Sequence, residues 1–140
     1  MPQIVPTSAQ IKRLVEEGPG GPIVMVNLLK YRKNAAYAAD RAEAKEGLSG
    51  REAYRRYGMV ALQHVMACGG KVVWGGSQKM VMVGDDAAND WDEVLCVNYP
   101  SREAFLKMTQ DPAYLAAHYH REAGLERTAL LCCSAGTLGG

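Results

Sequence analysis

Two stretches decide the fold of this chain: Gly69–Gly76 (GGKVVWGG) and Asn89–Pro100 (NDWDEVLCVNYP). Each is a short apolar run rich in β-branched residues, with a tryptophan near one end and turn residues at its borders, the composition of neighbouring strands. Lys71–Val83 is long enough for one strand, or for a strand bent at Gly75–Gly76, where glycines permit a bulge. Gly84–Asn89 reads as a polar turn and Trp91–Tyr99 as the returning strand. Alternation puts Trp91, Glu93, Leu95, Val97 and Tyr99 on one face, and Asp92, Val94, Cys96 and Asn98 on the other.

Upstream, Tyr54, Tyr57, Ala61, His64 and Cys68 recur at helical spacing, with Ser49 as cap and Glu52 three residues on. Before that helix, Lys33–Ser49 has no clean apolar stripe; it is expected to begin helically at Ala35–Glu46 and to act as an insertion or lid. Ile23–Tyr31 (IVMVNLLKY) reads as a buried strand, and Ser8–Glu17 as a short amphipathic helix capped by Ser8 and stopped by Gly18–Pro22.

Downstream, Pro100 ends the second strand and Ser101 caps a helix to about Thr109. Asp111-Pro112 starts another helix, a cap followed by proline at the first helical position, and Gly124 closes it. Arg127–Ser134 is a last strand. The order strand, helix, strand, strand, helix, strand predicts an α+β, ferredoxin-like βαββαβ domain: a four-stranded antiparallel sheet with helices on one face. The expected organisation is a single domain over 1–140, with an N-terminal helical extension at 1–22, a core at 23–134, the insertion or lid at 33–49 and a flexible tail at 135–140. One sheet face is left uncovered. Val24, Val26, Val73, Leu95 and Val97 cannot all be buried by helices on the opposite side, so a homodimer through the open face is expected.

Charge and composition narrow the partners. A formal net charge of +1 gives no basic footprint for nucleic acid. No run approaches the roughly 18–20 apolar residues of a membrane span. The first ten residues lack the basic and apolar regions of a secretory signal. Cys68, Cys96, Cys132 and Cys133 form no CxxC pair, which suits reduced thiols in a cytoplasmic protein. No phosphate-cradling, zinc-helix or nucleophile-elbow motif is present, so neither a cofactor nor a metal is expected.

The series NLLKYR, YRRYG, GGKVVWGG and WDEVLCVNYPSREAFLKMTQDPAYLAAHYHREAGLE resembles the DUF1330 family over roughly Ile23–Leu131. That resemblance implies a dimeric α+β barrel and carries no common activity. The wider superfamily holds cofactor-free monooxygenases, isomerases and stress-response barrels, kinship of fold alone.

Several residues can carry chemistry. His118 is the acid–base candidate, with Glu122 one turn on to orient it; its alternative is a surface ion pair. Arg121 can clamp a carboxylate bidentately, or pair with Glu122, Glu126 or Asp92. Asp92 is a base if desolvated, a turn carboxylate otherwise. Asn27, alone among apolar neighbours, needs partners for its amide and is either a structural hydrogen bonder or a ligand contact. Tyr54 and Tyr57 line a pocket or pack in the core, His64 meets His118 across the pocket or sits at the core edge, and Trp74 and Trp91 form an aromatic wall or an interface. The favoured function is a cofactor-independent isomerase, cyclase or monooxygenase acting on a small aromatic or lactone-like acid. The alternative is a noncatalytic small-ligand-binding, structural or stress-related dimer.

Overall fold

A computed structural model describes residues 3–136. Helix α1 (Ser8–Glu17) precedes β1 (Ile23–Tyr31); a single 3-10 turn (Ala42–Lys45) leads to α2 (Gly50–Ala67), β2 (Lys71–Ser77) and β3 (Glu93–Tyr99). Three short helices follow, α3 (Arg102–Thr109), α4 (Pro112–Leu115) and α5 (His118–Gly124), and β4 (Leu125–Ser134) ends the sheet. The strands lie in the order β2-β3-β1-β4, all pairs antiparallel, which is the ferredoxin-like α+β arrangement. No helix among the described residues is long and apolar enough to cross a membrane.

Local chemistry sets most of the helix starts. Ser49 and Glu52 form the reciprocal capping box, while Ser101 and Asp111 accept from the backbone N–H groups of Ala104 and Ala113. In α1 the cap is Thr7 with Gln10, one residue earlier than the expected Ser8.

The sheet has two unlike faces. Ile23, Met25, Asn27 and Leu29 pair with Tyr99, Val97, Leu95 and Glu93 and turn toward the helices. Ile23, Leu29 and Leu125 are fully buried there, joined by Tyr54, Tyr57, Phe105 and Tyr114. Val24, Val26 and Leu28 pair with Asn98, Cys96 and Val94 on the other face, which no helix among the described residues covers. Leu95 and Val97 therefore lie under the helices and not on the open face, contrary to expectation, and Val97 is buried.

Four other expectations change. Strand β2 stops at Ser77 instead of running to Val83: the Gln78 amide still donates to Asp92 O, but Met80, Met82 and Val83 then have no strand to pair with and stand exposed. The irregularity in β2 falls at Val73, between Val72 and Trp74, not at Gly75–Gly76. The segment Ala35–Glu46 is mostly irregular coil and turn, pinned by Ala35 N–H to Leu48 O and Ala36 N–H to Ala123 O, with one 3-10 turn in place of the expected helix. The expected single helix after Asp111 is broken at Ala116–Ala117, where tight i to i−3 bonds (Ala117 N–H to Tyr114 O, His120 N–H to Ala117 O) replace the helical ladder. Of the expected tail, residues 137–140 lie outside the described residues.

Two glycines fix how α5 meets α2. A Cβ on Gly124 would sit 2.5 Å from the Gly50 carbonyl oxygen and 2.9 Å from the Tyr54 nitrogen. The close approach lets Arg32 bond both helices, donating to Gly124 O (2.8 Å) and accepting from Gly50 N–H (3.1 Å). This junction sets α5 against the tyrosine face of α2.

Candidate functional site

A groove of about 1070 Å³ opens between the sheet, the α3–α5 helices and the N-terminal segment. Met25 and Asn27 of β1 and Thr128, Leu130 and Cys132 of β4 form its floor; Phe105, Tyr114, His118 and Arg121 form the helical wall with Tyr57. Residues Gln3–Pro6 and the inner side of α1 roof it.

Arg121 is the unusual member. It is buried, at 8% exposure, yet no carboxylate among the described residues lies within salt-bridge reach. The expected partners Glu122, Glu126 and Asp92 all point elsewhere. Its one hydrogen bond goes to the backbone carbonyl of Ile4 in the N-terminal segment. A cation taken out of water without a counter-charge is costly, so its place in a groove wall argues for an anion there.

His118 sits one turn earlier on α5 and shares the groove. Its ring lies 6.0 Å from Tyr57 and 6.1 Å from Tyr114, and the Tyr57 and Tyr114 hydroxyls are hydrogen-bonded at 2.5 Å. Burial, and then the nearby Arg121 charge, hold the His118 imidazole below its ordinary pKa of 6.5; the Glu122 carboxylate, at 3.4 Å, opposes this only in part. The ring is therefore neutral at pH 7. Burial pushes Tyr57 well above the usual phenol range, with Tyr114 adding to it, so Tyr57 acts by hydrogen bonding and not as a base.

Asn27 reaches the groove floor, where its side-chain NH2 donates to Leu95 O at 3.1 Å. Tyr54 stacks between Tyr31 and Tyr57 in the core, its hydroxyl pushed up to about 12 by burial, and it does not line the groove. His64 packs edge-on against Tyr114 at 6.0 Å, so Tyr114 separates it from His118. Asp92 is tied to the end of β1: its carboxylate accepts from Tyr31 N–H at 2.8 Å and lies 3.6 Å from Lys30 Nζ. Trp91 lies under the Arg127 guanidinium at 4.2 Å, and Trp74 stands 57% exposed on the open sheet face. Glu122 faces a second cavity of about 610 Å³ with Arg32, Tyr37 and Tyr119.

The structure thus gathers Asn27, Tyr57, His118 and Arg121 in one groove and leaves Tyr54, His64, Trp74, Trp91, Asp92 and Glu122 outside it. Two groove members are not among the site residues expected from the sequence. Tyr114 precedes His118 by four residues and Arg121 by seven, a shared helix face that signals it. Ile4 carries no such signal, because its contact with Arg121 spans 117 residues. Among the described residues no three His, Cys, Asp or Glu side chains gather as a metal site.

The family profile described as a domain of unknown function, DUF1330, matches residues 44–134. The chain belongs to the DUF1330 family. Among solved structures, methylated RPA0582 protein is similar at 34% identity, with 99% of this chain and 98% of that one covered and a TM-score of 0.87. RPA0582 from Rhodopseudomonas palustris, a protein of unknown function, is 33% identical, with 98% and 99% covered and a TM-score of 0.83. No curated protein matches the chain. Against these relatives the DUF1330 match leaves out α1 and β1, so the roof of the groove and half its floor lie outside the family profile.

Proposed function

We propose that this DUF1330 chain is a small-ligand-binding protein whose groove takes an organic acid, the carboxylate on Arg121 and the apolar part against Met25, Phe105 and the β4 floor. The observation that carries this reading is the buried Arg121 with no carboxylate partner among the described residues. Tyr57, Tyr114 and neutral His118 supply directional polar contacts beside it, and the apolar walls favour an aromatic or branched aliphatic group. Calorimetric titration with phenylacetate tests it: binding that vanishes in Arg121→Gln supports the reading, and binding unaffected by that change refutes it.

A second reading is supported by His118 itself, a neutral imidazole in the same groove. It would move a proton on a small aromatic or lactone-like acid, in an isomerase, cyclase or monooxygenase reaction without a cofactor. Asp92, held at the end of β1, is not placed to assist it. Turnover lost in His118→Gln with phenylacetate affinity retained would favour catalysis.

The partner we propose for the open sheet face is a second copy of the chain. Trp74 and Leu131 are 57% and 49% exposed there, beside the half-buried Val24, Val26 and Leu28, and burying them sheet to sheet removes a contiguous apolar surface from water. Sedimentation equilibrium giving a monomer mass at every concentration would refute it.

A further inference from the structure

We propose that the N-terminal strap is a built-in stand-in for the ligand, with the Ile4 carbonyl in the carboxylate position on Arg121, so that the ligand is a monocarboxylate with a branched apolar group near its carboxylate and displaces the strap on binding. This rests on the organic-acid reading of the groove and goes beyond it in naming the ligand's shape and its competitor.

Three observations converge. The Ile4 carbonyl accepts from Arg121 Nη1, while the Ile4 side chain packs against the edge of the hydrophobic core. One residue thus offers an oxygen to the cation and an apolar group to the groove, from the same Cα. Ile4 and Val5 also line both cavities, so the strap is the partition between the groove and the second space. Across that partition the Nε of Arg32 is buried and has no partner among the described residues. Finally, the strap is attached lightly. Helix α1 has no buried residue; only Leu14 is half-buried against the core, while Ile11 and Val15 are 40% and 51% exposed on its apolar side. Apart from Ile4, its anchorage includes Arg102, which donates to the carbonyls of Gly18 and Pro19 at the C-terminal end of α1.

A carboxylate is the stronger acceptor for a guanidinium, since it adds an opposite full charge that a neutral carbonyl lacks and can accept bidentately. Replacing the peptide of Ile4 by a carboxylate and keeping its side chain gives 3-methylpentanoate, which is the probe this geometry selects. The strap lowers apparent affinity by the fraction of time it holds the site.

The test is titration of 3-methylpentanoate, with 3-methylpentanamide as its uncharged control, into the full-length chain and its Ile4→Gly and Arg121→Gln variants. Expected are acid binding by the wild type, little by the amide or by Arg121→Gln, and about tenfold tighter acid binding by Ile4→Gly as the competing side chain is lost. Hydrogen exchange on the wild type adds a measurement without any variant: amides of residues 7–17 exchange faster when the acid is saturating. Equal or weaker binding by Ile4→Gly, or slower exchange in α1, overturns the strap as competitor while leaving the groove reading standing. Absence of acid binding in every form overturns both.

Discussion

Replacing Arg121 by methionine separates a structural arginine from a ligand-holding one. In the folded chain Arg121 is only 8% exposed, and taking a guanidinium out of water costs several kcal/mol even after relaxation. It regains one hydrogen bond to a neutral carbonyl, worth about 1.5–3 kcal/mol for a charged donor. Methionine keeps the volume of the aliphatic stem, suits an irregular space and removes the desolvated charge. The Ile4 carbonyl loses its partner, a penalty of about 1–3 kcal/mol if the strap stays in place and less if it moves to water. The terms nearly cancel, leaving the variant within about 1–2 kcal/mol of the wild type, whereas most substitutions of buried residues destabilise. Urea unfolding followed by circular dichroism measures this, and the same sample titrated with phenylacetate should show affinity lower by about 10–100-fold, the worth of a charge-assisted pair. Destabilisation beyond about 2 kcal/mol with affinity unchanged would refute the reasoning and make Arg121 a structural residue.

Other outcomes follow from the same geometry. Gly124→Ala forces a Cβ to within 2.5 Å of the Gly50 carbonyl, so α5 must move off α2; a loss of about 2–4 kcal/mol in urea unfolding is expected, with phenylacetate binding weakened because His118 and Arg121 ride on α5. His118 and His120 both have folded pKa values below 6.5, because burial disfavours their charged forms, so the unfolded chain binds more protons than the folded one. Stability is therefore full above about pH 6.5 and falls as pH drops through the lowered folded values, and His118→Gln should flatten that fall in a series of unfolding curves. Trp74→Arg puts a charge on the open sheet face and should convert a dimer to a monomer in sedimentation equilibrium, leaving the far-ultraviolet spectrum unchanged.

Much of the fold is legible in local sequence, because its signals are local. Capping serines and aspartate mark three helix starts, and alternation marks β1 and β3. The errors come where a local pattern lacks its distant partner. Lys79–Val83 (KMVMV) has the composition of a strand, but no backbone lies opposite it. Leu95 and Val97 look like open-face residues until register with Met25 and Asn27 turns them toward the helices. The site divides in the same way. Tyr114, His118 and Arg121 share one face across α4 and α5, so their spacing places them together. That Arg121 has no carboxylate partner among the described residues, that Asp92 is held by Tyr31 N–H, and that Ile4 reaches Arg121 are facts of tertiary packing, which no spacing encodes. Glycine 124 carries a similar lesson: read as a helix stop, it is also the contact that brings α5 onto Gly50.

The central claim is that the groove holds an organic carboxylate on Arg121. A crystal structure of the full-length chain grown with saturating phenylacetate tests it most directly. The expected density has the carboxylate within hydrogen-bonding distance of the Arg121 guanidinium, the ring against Met25 and Phe105, and the Ile4 carbonyl moved away. A groove holding no phenylacetate, with Ile4 still on Arg121, would contradict it.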